Sequence, residues 1–205
     1  MKKLSLYWSE TGGIKDLLTV AVPVIVSTIA WTLQHFVDRM FLTWYSADAI
    51  AAAMPAGILH FNIICLFMGI AGYVNVFVAQ YHGAKEYSKF GAIIWQGVYI
   101  AIFCSLMVLF LYPMADKIFQ FIGHEAEIIA YEVVYFRILV LSTFPMIFTA
   151  AASGFYTGQG KTRMIMLVNI GATLINIVLD YMMIFGKFGF PEMGIKGAAL
   201  ATLLA

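Results

Sequence analysis

Charge is scarce in this chain. Asp, Glu, Lys and Arg together make up 11% of its 205 residues, whereas a soluble globular domain carries about 25%. So few charged groups cannot cover a water-facing surface. The apolar excess, 62% hydrophobic residues with a mean hydropathy of +0.90, is therefore assigned to lipid contact. A net charge of +1 excludes the broad basic field that nucleic acid requires. Only two cysteines occur, Cys65 and Cys104, each inside an apolar run, with no CxxC and no His at ligand spacing. That excludes a disulfide framework. Catalytic signatures are missing too. The segment Gly154-Phe-Tyr-Thr-Gly158-Gln-Gly160-Lys161-Thr162 looks like a phosphate loop, but Phe155 stands where the first glycine belongs. It also joins two apolar runs, where a phosphate loop follows a strand. His124-Glu125 has no second His at 128, and no Gly-x-Ser-x-Gly elbow occurs. No enzyme, no cofactor and no ATP-driven step is expected, and no cleavable leader is evident. Long linkers and low-complexity tracts are also lacking.

Long apolar runs are plentiful. A spanning helix needs about 20 mostly apolar residues. Candidate runs cover about 17–42, 50–80, 91–112, 126–157 and 164–186. A sixth begins near 194 and reaches 205, too short to span, which predicts an incomplete last helix. Strands of a membrane barrel would alternate over about ten residues with frequent turns; these runs are continuous and about twice as long. The fold class expected is all-α integral membrane, a six-helix transmembrane bundle. Loop charge sets its orientation. Lys2, Lys3, Lys15, Lys85, Lys89, Lys161 and Arg163 fall on one side, and Lys117, Lys187 and Lys196 on the other. The richer side is cytoplasmic by the positive-inside rule. A multi-pass protein of the plasma (cytoplasmic) membrane is expected, with its N-terminus inside and an acidic loop around 116–127 outside.

A charged side chain at the bilayer centre costs about 3 kcal/mol on insertion scales, so each one needs a reason. Asn169, Thr173, Asn176 and Asp180 recur at spacings of four, three and four in an otherwise apolar run. They share one helix face. Two readings are open: hydrogen-bonding contacts between helices, or a cation or proton site, for which a carboxylate is better suited than contact alone requires. Asp38 is either an ordinary charge at a helix end or a pocket carboxylate on the face that carries Gln34 and Trp31. At about 1.5 Å per residue, Asp38 lies about 34 Å beyond Lys15 and Asp180 about 26 Å beyond Arg163. Thr202 lies about 9 Å inward from Lys196 on the opposite side. All three depths fall in the outer half of the bilayer, which allows a common polar pocket among the first, fifth and sixth runs. Pro23 kinks the first helix, as structure or as a hinge. Glu132 and Arg137 are five apart, the wrong spacing for a pair within one helix, so Arg137 should pair with another element or snorkel. His60 reads as a packing residue.

Several segments resemble the multidrug and toxic compound extrusion family. They are Pro23 followed by Val37-Asp38-Arg39-Met40-Phe41-Leu42; Ala79-Gln80-Tyr81-His82-Gly83-Ala84; Gly158-Gln159-Gly160-Lys161-Thr162-Arg163; Asn176-Ile-Val-Leu-Asp180 with Ile184-Phe185-Gly186; and Gly194-Ile195-Lys196-Gly197-Ala198-Ala199-Leu200-Ala201-Thr202. They span nearly the whole chain. The resemblance implies that residues 1–205 are the N-terminal half of a twelve-helix, two-lobe transporter, partnered by a C-terminal lobe. It implies an H+- or Na+-coupled antiporter exporting organic, often cationic, small molecules. It implies a cation site of Asp38, Asn176, Asp180 and Thr202, with Pro23 as hinge and no metal beyond Na+. Gln34, Trp31 and Thr173 are candidates for the substrate pocket. Arg39 departs from the neutral residue common in the family, and its charge would compete with a bound cation. Other expectations to weigh are an inactive or structural fragment, and a lipid-linked oligosaccharide flippase of the same superfamily. The flippase should line its cavity with more basic residues than Arg39 and Arg137.

Overall fold

A computed structural model of the chain describes residues 13–205; Lys2 and Lys3 lie outside the described residues. Among these residues every regular element is a helix. Helix α1 spans Ile14–Tyr45, α2 Ala47–Gly72 and α3 Val74–Gly83; a 3-10 turn at Tyr87–Lys89 leads to α4, Phe90–Leu109. Helix α5 spans Ala115–Ile122, α6 Ala126–Gly158, α7 Thr162–Ile184 and α8 Ile195–Leu204. Counting α2 with α3 as one stretch, five are long and apolar enough to cross a membrane, and α8 is shorter. This is the all-helical membrane architecture expected.

Helix α6 is the hub, touching α2, α3, α4, α5, α7 and α8. In lipid no hydrophobic force drives helices together, so small residues and hydrogen bonds do the work. Ala49, Ala52, Ala53 and Ala56 give α2 a buried face with little side chain. That lets Phe136, Leu139 and Val140 of α6 settle into the same core cluster. One turn on, buried His60 hydrogen-bonds to buried Thr143 at 3.1 Å, joining the two helices. Gly158 and Gly197 hold the closest approaches. A Cβ on Gly158 would meet the Asn75 carbonyl oxygen at 2.7 Å, and one on Gly197 the Met183 carbonyl oxygen at 2.6 Å.

The first and seventh helices form a second unit. Helix α1 packs chiefly on α7, and α8 touches both α6 and α7. The two units meet where α1 ends. There Gly194, at φ +53°, lies under the Tyr45 ring, with Met193 N–H donating to the Met183 carbonyl at 2.9 Å. Only glycine has neither a strained backbone nor a side chain to clash at that joint.

Three local features differ from the apolar pattern. The second run is broken at Tyr73, whose N–H bonds to Ile70 in a tighter i−3 turn. Helix α4 passes after Leu109 into tighter i−3 turns at Phe110, Leu111 and Tyr112, just before Pro113. The loop expected outside holds α5, whose Ala115 and Phe119 are fully buried. Phe119 meets Phe136 edge-on at 5.6 Å. Ala115, Ile118, Phe119 and Ile122 recur at i, i+3, i+4 and i+7, the apolar face of a helix, so the stretch expected to be a loop carries a helical period of its own. Arg137 pairs with another element, as its spacing suggested: its guanidinium bonds to Asp116 of α5 at 2.5 Å.

Gly197→Ala should destabilise the bundle by about 1–3 kcal/mol, as overpacking does, because the added methyl meets backbone. Gly69→Ala, where nothing lies within 4 Å, should leave the melting temperature unchanged. Thermal melts of both variants in the same detergent check this.

Candidate functional site

The α1–α7 contact brings two carboxylates together. Asp38 is 6% exposed, and Asp180 and Asn176 are fully buried. The side chains of Asp38 and Asp180 are close enough to interact directly, and Tyr135 of α6 lines the same cavity as Asp38. Asp38 Oδ1, both Asp180 oxygens and both polar atoms of Asn176 have no hydrogen-bond partner. A buried polar atom left unpaired costs about 1–3 kcal/mol, and five in one place make this the candidate site of the fold. The donors are carboxylate and amide oxygens, the set that suits a hard cation or a proton.

Beside the pair lies a cavity of about 330 Å³. Trp31, Asp38 and Arg39 line it from α1, His60 and Phe61 from α2, and Tyr135 from α6. Trp31 stands 6.1 Å from the Phe61 ring and 4.7 Å from the His35 ring. Its size and mostly apolar wall with a few polar groups are those of a small-molecule pocket. Asp38 belongs to both the acid pair and the cavity wall.

The other candidates fall as follows. Thr202 lines the cavity with Asp38. Its hydroxyl donates to the Ala198 carbonyl at 3.1 Å, so it serves its own helix. Trp31 lines the cavity, whereas Gln34 and Thr173 meet each other, Thr173 Oγ1 donating to Gln34 Oε1 at 3.5 Å. Pro23 is buried inside an unbroken α1, and Ser27 Oγ donates to its carbonyl at 2.9 Å. Arg39 donates to Met54 Sδ and, among the described residues, makes no ion pair. Glu132, fully buried near the N-terminal end of α6, meets His124 Nδ1 at 2.7 Å and leaves Oε2 without a partner.

Sequence reasoning missed Tyr135, which sits in the run Val133-Val134-Tyr135-Phe136 and carries no polar period. It assigned His60 to packing alone, but His60 also faces the cavity. Only the crossing of α2 over α6 puts these two rings beside Asp38.

A family model described as MatE matches residues 23–182. The chain is 31% identical over 192 residues to the probable multidrug resistance protein NorM of Thermotoga maritima, covering 93% of this chain and 41% of that protein. It is 30% identical over 191 residues to the multidrug resistance protein PmpM of Pseudomonas aeruginosa, covering 92% of this chain and 40% of the other. The chain thus spans about two fifths of the length of the curated relatives it matches. The crystal structure of MATE in the bent conformation superposes with a TM-score of 0.83 at 23% identity, covering all of this chain and 44% of its own. The outward-facing conformation of a multidrug resistance MATE family transporter superposes with a TM-score of 0.83 at 24% identity, covering 93% of this chain and 42% of its own. These superpositions show the fold.

Asparagine keeps the size of Asp180 and takes away an ionisable group buried without partners. Asp180→Asn should therefore melt at or above the wild-type temperature. A fall in melting temperature of the size caused by a lost core contact would mean that the Asp180 carboxylate holds the helices together. Differential scanning fluorimetry in detergent distinguishes the two.

Proposed function

The chain belongs to the MatE family, and on that premise we propose that it forms the N-terminal lobe of an H+- or Na+-coupled antiporter exporting organic, often cationic, compounds. The observation that carries this reading is the position of Asp38. One carboxylate serves the acid pair with Asp180 and the wall of the aromatic cavity. A proton or Na+ bound at the pair cancels negative charge on that wall, so a cationic ligand and the coupling ion compete for the same electrostatic energy. Competition of this kind is what exchange requires, and the coupling is reciprocal. Asn176 adds an amide oxygen beside the pair, and Thr202 a hydroxyl on the cavity wall.

Pro23 supplies the mechanical half of the reading. Proline removes one backbone hydrogen bond and leaves α1 easier to bend there. Because α1 carries Asp38 and packs chiefly on α7, a charge change at the pair bears on the helix that Pro23 weakens. Alternating access then needs a second lobe to rock against, which the longer relatives have room for. Placement in the cytoplasmic membrane with the N-terminus inside rests on the Lys and Arg asymmetry of the loops.

The lobe reconstituted with a C-terminal lobe in proteoliposomes should export a fluorescent cationic dye under an imposed H+ or Na+ gradient. Asp38→Asn and Asp180→Asn should each reduce export to the background of empty vesicles. Undiminished export by Asp180→Asn would remove the carboxylate pair from the coupling. Absence of gradient-driven export by the unmodified protein would overturn antiport itself.

A further inference from the structure

The α1–α7 seam holds more polar side chains than packing in lipid requires. Besides the carboxylates, α1 contributes Ser27, Thr28 and Gln34, and α7 contributes Thr162, Asn169 and Thr173. Ser27, Thr162 and Thr173 are buried. At the end of the seam nearest the α6–α7 turn, Ser27, Thr28, Thr157, Thr162 and Asn169 line a second cavity of about 390 Å³. Asn169 lies one turn before Thr173, so the cavity stops one turn short of the Thr173–Gln34 hydrogen bond. Asn176 and Asp180, with their unpartnered atoms, lie one and two turns beyond it.

An ion moving through a bilayer-spanning bundle needs oxygen donors along its way, because the alternative is bare charge in hydrocarbon. The outer cavity reaches Asp38, but neither Asn176 nor Asp180 belongs to its wall. The seam has donors from the α6–α7 turn up to Asp180, interrupted by a single cross-helix contact. At 3.5 Å that contact is at the long limit for a hydrogen bond, so little energy is needed to part it.

We propose that the coupling ion passes between the carboxylate pair and the hydroxyl-lined cavity along the α1–α7 seam, with Gln34 and Thr173 closing the path while they are bonded. This route rests on the antiport reading above and adds to it the side from which the pair is reached. The moving species is a hydrated Na+ or a proton handed from a carboxyl oxygen to water. Gln34 and Thr173 are positioning residues: they set access and bind no ion themselves.

The test reads access directly. The intact chain in lipid nanodiscs is treated with a water-soluble carbodiimide and a small amine, and conversion of Asp180 is followed by mass spectrometry. Thr173→Ala should speed conversion about fivefold, the factor that a hydrogen bond of about 1 kcal/mol represents. Thr173→Ser should return the wild-type rate. Asn169→Leu, and independently Ser27→Val, should slow conversion several-fold by filling the cavity with apolar atoms. Ile58→Trp, which narrows the outer cavity from an exposed position, should leave the rate unchanged. Rates indifferent to Thr173, Asn169 and Ser27, or lowered by Ile58→Trp instead, would overturn the route. Labelling needs no export. Seam-dependent labelling without export would overturn antiport alone, and export with seam-independent labelling would overturn the route alone.

Discussion

Two carboxyl groups and an amide are held out of water where α1 crosses α7, and five of their polar atoms lack a hydrogen-bond partner. Each unpaired atom costs about 1–3 kcal/mol. The rest of the bundle has to supply that energy by packing, and its construction reflects the demand. The α6-centred unit is dense, with alanines from α2 and glycines at the closest crossings, and its one buried histidine is bonded. The unsatisfied groups are concentrated in the α1–α7 unit. The dense α6-centred unit holds only one such atom, Glu132 Oε2, among the described residues.

The separation has a mechanical consequence. Helix α1 leans on α7 and carries a wide apolar face, with Leu17, Ile25, Ile29 and Phe36 all more than half exposed. Helix α8 links α7 to the hub, and Gly197 and Gly194 let it come within van der Waals distance of Met183 and Tyr45. A helix packed mainly on one neighbour, containing Pro23 and bearing Asp38, is the element of this fold that a change of charge can move with the least loss of packing. Helix α6 is the element least able to move, because six others rest on it.

Asp38 gains its importance from sharing. Its side chain interacts with Asp180 on one side and forms part of an aromatic cavity on the other. Under the proposed antiport, a carboxylate used by two ligands couples them without any long pathway between distant sites. Arg39, next in sequence and on the same cavity wall, places a fixed positive charge there with no ion-pair partner among the described residues. The cavity therefore has charges of both signs on one side and aromatic rings facing them.

Much of this could be read in the chain itself. Low charge and long apolar runs determine a helical membrane protein, because lipid satisfies no backbone hydrogen bonds and helices satisfy their own. The spacing of Asn169, Thr173, Asn176 and Asp180 determines one polar face, because a helix repeats every 3.6 residues. Periodicity says which residues share a face but not which face meets which. Tertiary structure alone decided that Asp38 meets Asp180, that Gln34 meets Thr173 instead of the cavity, and that Thr202 turns its hydroxyl to its own helix. Tertiary structure also brought in Tyr135 and His60, which have no polar period, and chose Phe136 as the partner of the 115–122 helix. These outcomes depend on crossings set by small residues far apart in the chain, and a local pattern carries no record of the partner across a crossing.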